Sequence, residues 1–327
     1  MELHQVPHLP RRQHNKAFPA HHDTGGDGEG YTGHARLKQL MNKLRLLTAI
    51  FLLCASCVWA QTDSATLVNA AWQVDSLDGM VLKKVHFTHH EYFKSNQFIA
   101  ILEIPAQSDK RLAFGYEPER THTSTIAKRH GAAAAINGSF FDMDKHHPVC
   151  YLRIDGEELG ENTPGTDTVN RKYYQYGTLV LREGAPHILR TDSARTWERS
   201  LPDSNVMTAG PLLILRGETQ PFRHDRTFVS NRHPRTAVGI RPDGTTLLFV
   251  VDGRTKESEG MSLDELTSTL HWLGCKDALN MDGGGSTTLY IKGKPYDGIV
   301  NYPINNGRFD HTGERGVSNA ILVVKNR

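Results

Sequence analysis

Nine consecutive residues, Asn280-Met281-Asp282-Gly283-Gly284-Gly285-Ser286-Thr287-Thr288, set one carboxylate against three glycines and three hydroxyls. Glycines remove every Cβ from such a loop, so its N–H groups can turn toward a bound anion or sugar oxygen and left-handed dihedrals become accessible. Asp282 would stand at the lip of that nest, with Gly283, Gly284, Gly285, Ser286 and Thr287 lining it. A plain hairpin needs only one or two glycines. The loop is not a nucleotide P-loop, because no Gly-Lys-Ser/Thr follows and the next residues read as a strand rather than a helix. ATP is not the expected ligand.

Other segments carry groups of the same chemical kind. Asp252-Gly253-Arg254 closes an apolar run, Arg235 opens another, Asn137-Gly138 precedes Phe140 and Phe141, and Glu314-Arg315 comes shortly before Asn319. Each has an ordinary reading as well. Asp-Gly and Asn-Gly are turn pairs, single arginines form surface ion pairs, and phenylalanines fill cores.

Taken together and in order, Ala135-Ile-Asn137-Gly138-Ser139-Phe140-Phe141, Ala209-Gly210-Pro211-Leu212, His233-Pro234-Arg235-Thr236-Ala237-Val238-Gly239, Val251-Asp252-Gly253-Arg254, Gly260-Met261-Ser262-Leu263-Asp264-Glu265-Leu266, the glycine loop, and Glu314-Arg315-Gly316-Val317-Ser318-Asn319-Ala320 resemble the phosphodiester glycosidase family. Its best-known members remove N-acetylglucosamine from a phosphodiester to uncover mannose 6-phosphate. The resemblance implies a hydrolase that needs no organic cofactor and acts on a carbohydrate phosphodiester. Breaking the bond from C1 to the phosphate oxygen passes through a cation-like sugar while negative charge builds on the departing phosphate ester. A phosphate monoester, with a second pKa near about 6, leaves readily, so general-acid help matters less than cationic donors. Arg235 is the leading phosphate ligand on this reading, since guanidinium forks match phosphate oxygens, with Arg254 and Arg315 behind it. Asp282 and Asp252 are the carboxylates expected near the anomeric carbon, one as nucleophile or base, and Glu314 is a third. The amides of Asn137 and Asn319 would meet sugar hydroxyl or acetamido groups, with Phe140 and Phe141 packed beneath. Two other readings stay open, a metal-dependent phosphodiesterase that cuts the phosphorus–oxygen bond and a noncatalytic polysaccharide-binding envelope module.

The elements that must position these groups are mostly strands. Phe98–Ile104, Thr178–Leu181, Pro211–Leu215, Thr236–Ile240, Thr246–Val251, Asp277–Met281, Thr287–Ile291 and Ala320–Val324 read as strands, and Asp155-Gly156, Glu183-Gly184, Asp243-Gly244 and Lys292-Gly293 as hairpin turns. Ser262-Leu-Asp-Glu265 is a capping box, and Leu263, Leu266, Leu270 and Leu273 form one helical face until Gly274. A second helix is expected from Ser124 to His130, ending at Gly131 before a strand that leads into Asn137. The class expected is α+β, a single domain with a mixed, largely antiparallel sheet and a few packed helices.

Residues 1–40 are rich in His, Gly, Arg and Pro and lack apolar periodicity, so they read as a disordered or untranslated leader. Residues 41–60 have the form of a secretory signal peptide: Met41 starts a basic stretch, Leu46 to Ala60 is apolar, and Val58-Trp59-Ala60 suits cleavage before Gln61. The run is too short to span a bilayer stably. A periplasmic or secreted location follows for residues 61–327, with lipidation of Cys57 as the minority alternative because Cys54 stands where a lipobox prefers leucine. Losing residues 1–60 leaves 31 basic against 32 acidic residues, a net charge of −1, which offers no global attraction for nucleic acid. Cys150 and Cys275 remain and would permit one disulfide in an export compartment. They lack the pairing of a metal site, and Asp142-x-Asp144-x-His146-His147 reads as a solvated loop without the glycine and terminal glutamate of a calcium-binding loop. No metal is assigned.

Overall fold

The computed structural model describes residues 38–44, 62–165, 171–222 and 227–326. The chain divides into Met1–Val58 and Trp59–Arg327. Residues 38–44 are helical, and the rest of the leader, the apolar run with Cys57 and the expected cleavage point lie outside the described residues.

Within the second unit, three sheets share one core. The largest runs in the order β1 (Gln73–Leu77), β2 (Met80–Tyr92), β3 (Ser95–Ile104), β14 (Thr246–Val251), β13 (Arg235–Ile240), β15 (Asp277–Asn280), β11 (Leu212–Leu215) and β12 (Glu218–Thr219). A second has the order β7 (Glu157–Gly160), β6 (Leu152–Ile154), β10 (Asn205–Ala209), β8 (Gly177–Arg182) and β9 (Ala185–Arg190). The third is β16 (Leu289–Ile291), β5 (Ala134–Asn137), β17 (Gly316–Lys325) and β4 (Lys110–His122). Each strand pair among the described residues is antiparallel. The large sheet puts Leu82, Leu102, Val238, Leu248 and Leu279 on one face against Ile136, Leu179, Met207 and Ile321 of the smaller sheets. Its other face carries Ile101, Ala237, Leu247 and Phe249 toward the helix Leu263–Trp272. The period-2 alternation of Leu247, Leu248, Phe249 and Val250 between the two cores explains why β14 is apolar at nearly every position.

Within this unit the α-helices among the described residues are α1 (62–68), α2 (Thr123–Arg129), α3 (Thr227–Ser230) and α4 (Leu263–Trp272). In α4 the capping box forms as the sequence requires: Ser262 Oγ accepts from Glu265 N at 3.2 Å and the Glu265 carboxylate accepts from Ser262 N at 2.9 Å. Leu263, Leu266 and Leu270 are fully buried, each worth about 1.5–3 kcal/mol of apolar transfer. Gly274, at φ +84°, ends the helix and sends the chain into β15. On the far side, α2 packs with Ile126 and Ala127 on Ala135, Ala320 and Leu322 before the chain enters β5.

Two expectations change. Lys292-Gly293 does turn the chain, but no second strand forms, and the return is a single bridge from Tyr290 to Ile299. Cys150 and Cys275 are buried free thiols in separate places, Cys275 packed where a Cβ on Gly239 would lie 2.5 Å from its Sγ. Burial pushes the Cys275 thiol up to about 12.

Candidate active site

The start of β13 and the ends of β14 and β15 come together at one edge of the large sheet, in the register Arg235 to Val251 and Ala237 to Asn280. There the chain leaves β15 as Asp282 and the three glycines. The third sheet meets it at the same point, since Asp282 N donates to Gly138 O at 3.1 Å and Gly138 N to Asn319 O at 3.0 Å. Five chain segments, β13, β14, β15 with its loop, the Gly138 segment and β17, are thereby fixed to one another by main-chain bonds before any side chain contributes.

Among the described residues, most N–H groups of the expected nest are not free, that of Gly285 apart. Gly283 N donates to the Asp282 carboxylate at 2.9 Å, Gly284 N to Pro234 O at 2.9 Å, Ser286 N to Gly283 O at 3.2 Å and Thr287 N to Gly284 O at 3.3 Å. Those donors are spent inside the protein. The glycines instead admit the arginines. A Cβ on Gly285 would lie 2.3 Å from Arg315 Nη2, and one on Gly284, whose φ is +62°, would lie 3.0 Å from Arg254 Nη2. Neither arginine forms an ion pair with a described residue. Arg315 is steadied by its Nε bond to Asn305 Oδ1 at 2.8 Å, and Arg254 Nη2 lies 3.4 Å from His233 Nδ1.

Asp282 sits at the mouth of this cluster, partly exposed yet surrounded by protein, so desolvation raises its pKa to about 6. The Ser286 hydroxyl, the Gly283 N–H and the charges of Arg315 and Arg254 act against that rise. Partial burial first, then the Arg315 charge, lowers the pKa of Arg254. Beside them, burial together with Arg235 and Arg254 pushes His233 down to about 4, so its imidazole is neutral at physiological pH. The hydroxyls of Thr287 and Thr288 are buried without a hydrogen-bond partner among the described residues. Two orphaned hydroxyls in succession call for buried water.

The remaining expected residues are placed as follows. Arg235 is only 1 % exposed, and its Nε and Nη2 donate to the main-chain oxygens of Met261, Phe228 and Asn231 at 2.7–3.0 Å. Its guanidinium lies 4.8 Å from the Phe228 ring centroid, and burial lowers its pKa to about 9, still charged at neutral pH. Asp252 is buried, with one oxygen accepting from Asn301 Nδ2 at 2.7 Å and the other from Tyr302 N at 2.8 Å, and desolvation raises its pKa to about 7. Asn301 in turn bonds Thr287 O and Leu289 N, so Asp252 supports the glycine loop from below. Glu314 points away, accepting from Ser124 N at 2.8 Å and Ser124 Oγ at 2.7 Å at the start of α2. Asn137 is a clip: it donates to Asp282 O at 2.6 Å and accepts from Thr236 Oγ1 at 2.8 Å and Thr288 N at 3.2 Å. Asn319 accepts from Ser139 N at 2.7 Å and occupies the space a Cβ on Gly138 would need.

Sequence reasoning named Phe140 but missed the rest of the aromatic wall, Tyr173, Tyr174 and Phe228. Phe140 stacks on Tyr174 at 4.7 Å, Tyr173 meets Tyr174 edge-on at 5.1 Å, and Phe228 contacts Tyr173 at 4.9 Å. Tyr173 and Tyr174 belong to a 3-10 turn against the backbone of Gly210, held near the end of β15 by the bond from Asn280 Nδ2 to Gly210 O at 2.8 Å. Their only sequence cue is a Tyr-Tyr pair in a polar stretch. His233 stands two residues before Arg235, which was the available hint. The Asp142 segment closes on itself, Asp142 Oδ1 accepting from the N–H groups of Asp144 and Lys145.

Comparison with known proteins gives this geometry a setting. The profile of the phosphodiester glycosidases matches residues 130–324. The chain is 37% identical over 181 residues to the N-acetylglucosamine-1-phosphodiester alpha-N-acetylglucosaminidase of Mus musculus, covering 53% of this chain and 34% of that one. Against the protein of the same name from Homo sapiens it is 36% identical over 198 residues, 56% of this chain and 36% of the relative. It thus spans about a third of the length of these curated relatives. In fold it is similar to the catalytic domain of the zebrafish N-acetylglucosamine-1-phosphodiester alpha-N-acetylglucosaminidase auto-inhibited by its pro-peptide, with a TM-score of 0.57 and 17% identity over 78% of this chain and 88% of that domain. The matched stretch holds β5, the glycine loop, both arginines and most of β17, and the chain belongs to the phosphodiester glycosidase family.

Proposed function

We propose that this protein hydrolyses sugar-1-phosphodiesters at the bond from C1 to the phosphate oxygen, with N-acetylglucosamine as the sugar, in glycans or glycolipids outside the cytoplasm. The observation that carries the proposal is the convergence of Arg254 and Arg315, both without a described ion-pair partner, on the backbone of Gly284 and Gly285 beside Asp282. The two guanidiniums hold the phosphate oxygens and take up the charge that grows on the leaving phosphate ester. Asp282, ionised above about pH 6, faces C1 as nucleophile or base. Water supplies hydroxyl to C1 and a proton to the departing phosphate ester. The ring of Tyr174 and its neighbours offer the sugar an apolar wall. Arg235 acts from the second layer, holding α3 and adding positive potential.

Asp282→Asn keeps shape and removes the charge. Turnover of an N-acetylglucosamine-1-phosphodiester should fall by about a hundredfold or more while a nonhydrolysable phosphonate analogue still binds. Equal turnover by both proteins would sink the assignment. The names of the curated relatives support the choice of sugar. Export is part of the same proposal, supported by the leader sequence, and among the described residues no helix is long and apolar enough to cross a membrane. The mass of the native N-terminus should place it at Gln61, and a lipid on Cys57 or a retained 1–40 segment would contradict that.

A further inference from the structure

On the side of the Asp252–Asn301 support lies a second feature that the proposed hydrolysis does not use. Tyr296, His311, Tyr302 and Phe309 form one continuous stack, with successive ring centroids 4.0, 4.2 and 4.0 Å apart and interplanar angles of 17°, 29° and 16°. The outermost ring, Tyr296, is 66% exposed. Its backbone is left-handed, and so are the next two residues, with φ of +56°, +60° and +93° at Tyr296, Asp297 and Gly298. Two successive non-glycine residues in that region cost more than one further ring contact returns, so the stack alone does not account for the turn. The surroundings fix it nevertheless: Lys128 pairs with Asp297, and Gly298 packs where a Cβ would lie 2.4 Å from the Tyr290 ring. The result is a flat aromatic face held over a cleft of about 760 Å³, whose lining includes Asn69, Gln73, Lys84, His86 and Lys294.

We propose that this cleft is an oligosaccharide subsite in which a pyranose ring lies on the outer face of Tyr296. A sugar presents an apolar C–H face and a rim of hydroxyls, which is what an exposed ring bordered by amide, imidazole and ammonium groups can satisfy together. An apolar peptide would strand the side chains of Asn69, Gln73 and Lys84, whereas Lys294 and His86 are already held by Asp75 and the Glu257 main-chain oxygen. The subsite is joined to the glycine loop by hydrogen bonds, since the His311 Nδ1–H donates to Asn301 O at 2.7 Å and Asn301 Nδ2 donates to Thr287 O at 3.1 Å. It would therefore hold the glycan chain of a polymeric substrate at a distance from the bond being cut. The choice of glycan rests on the reading of the glycine loop, but the binding is tested apart from turnover.

The probe is an array of neutral and acidic oligosaccharides that carry no phosphate at C1, so the glycine loop is not what they report on. Wild type should bind a subset. Titration of the tightest binder should show Tyr296→Ala weakened about five- to tenfold and Tyr296→Trp retained, with equal melting temperatures and unchanged hydrolysis of a short N-acetylglucosamine-1-phosphodiester. Absence of binding to any oligosaccharide, equal affinity for wild type and Tyr296→Ala, or loss of binding in Tyr296→Trp as well, would each overturn the subsite without touching the proposed chemistry.

Discussion

Asp282 owes its raised pKa to burial that outweighs two nearby guanidiniums and two hydrogen-bond donors, and that balance has a consequence for rate. If the ionised form does the work, kcat/KM should rise with pH through a midpoint of about 6 and then level off, because Asp282 ionises in this range, His233 has already lost its proton above about 4, and Asp252, at about 7, is buried behind the loop with both oxygens hydrogen-bonded. A pH–rate profile of a sugar-1-phosphodiester checks this, and a profile that falls from pH 5 to 7 would mean that the protonated carboxyl is the active form. The glycines around Asp282 were legible from sequence because an absent Cβ is written in the residue name. What fills the vacated space was not, since Arg254 and Arg315 reach Gly284 and Gly285 from other loops. The same holds for Asp252, Glu314 and Asn137, whose partners Asn301, Ser124 and Asp282 lie 49, 190 and 145 residues away. Residue type shows that a carboxylate can act, and only the fold shows that Asp252 and Glu314 are already occupied.

Strand ends carry the site, and the side chains that clamp those ends matter as much as the reacting groups. Asn137 ties β5 to β13 and to both flanks of the glycine loop with three hydrogen bonds. Asn137→Ala should cost about 2–4 kcal/mol, since it leaves buried donors and an acceptor unpaired. Denaturant titration measures it, and a change under about 0.5 kcal/mol would show that the clip is dispensable. Elements with strong local rules were readable: β14 spans Thr246–Val251 as its apolar run indicates, and α4 begins after the Ser262 cap and is followed by Gly274. The long strands β2 and β4 were missed because Lys83, Lys84 and His86 in one, and Glu117, Glu119 and Arg120 in the other, break their apolar pattern. Their length comes from pairing with β3 and β17, which supplies main-chain partners that no local pattern announces. The left-handed turn at Tyr296 was equally silent, as two non-glycine residues adopt a conformation their sequence disfavours by about 1–2 kcal/mol each.

Three antiparallel sheets around one core leave two ends open to function, and chemistry occupies only one. A cleft of about 800 Å³ is lined by Ile104, Gly244, Ile240 and Asp277 and so lies at the opposite end of the large sheet from Asp252 and Asp282. Cavity size is therefore a poor guide here, and charge is a better one: the end that holds Asp282 also gathers Arg235, Arg254 and Arg315, as a site for a phosphodiester requires. The central claim is that water attacks the sugar and not the phosphorus. Hydrolysis of an N-acetylglucosamine-1-phosphodiester in oxygen-18 water, with both products weighed by mass spectrometry, tests it most directly. Label in the sugar and none in the phosphate monoester is the predicted result, and label in the phosphate would contradict it.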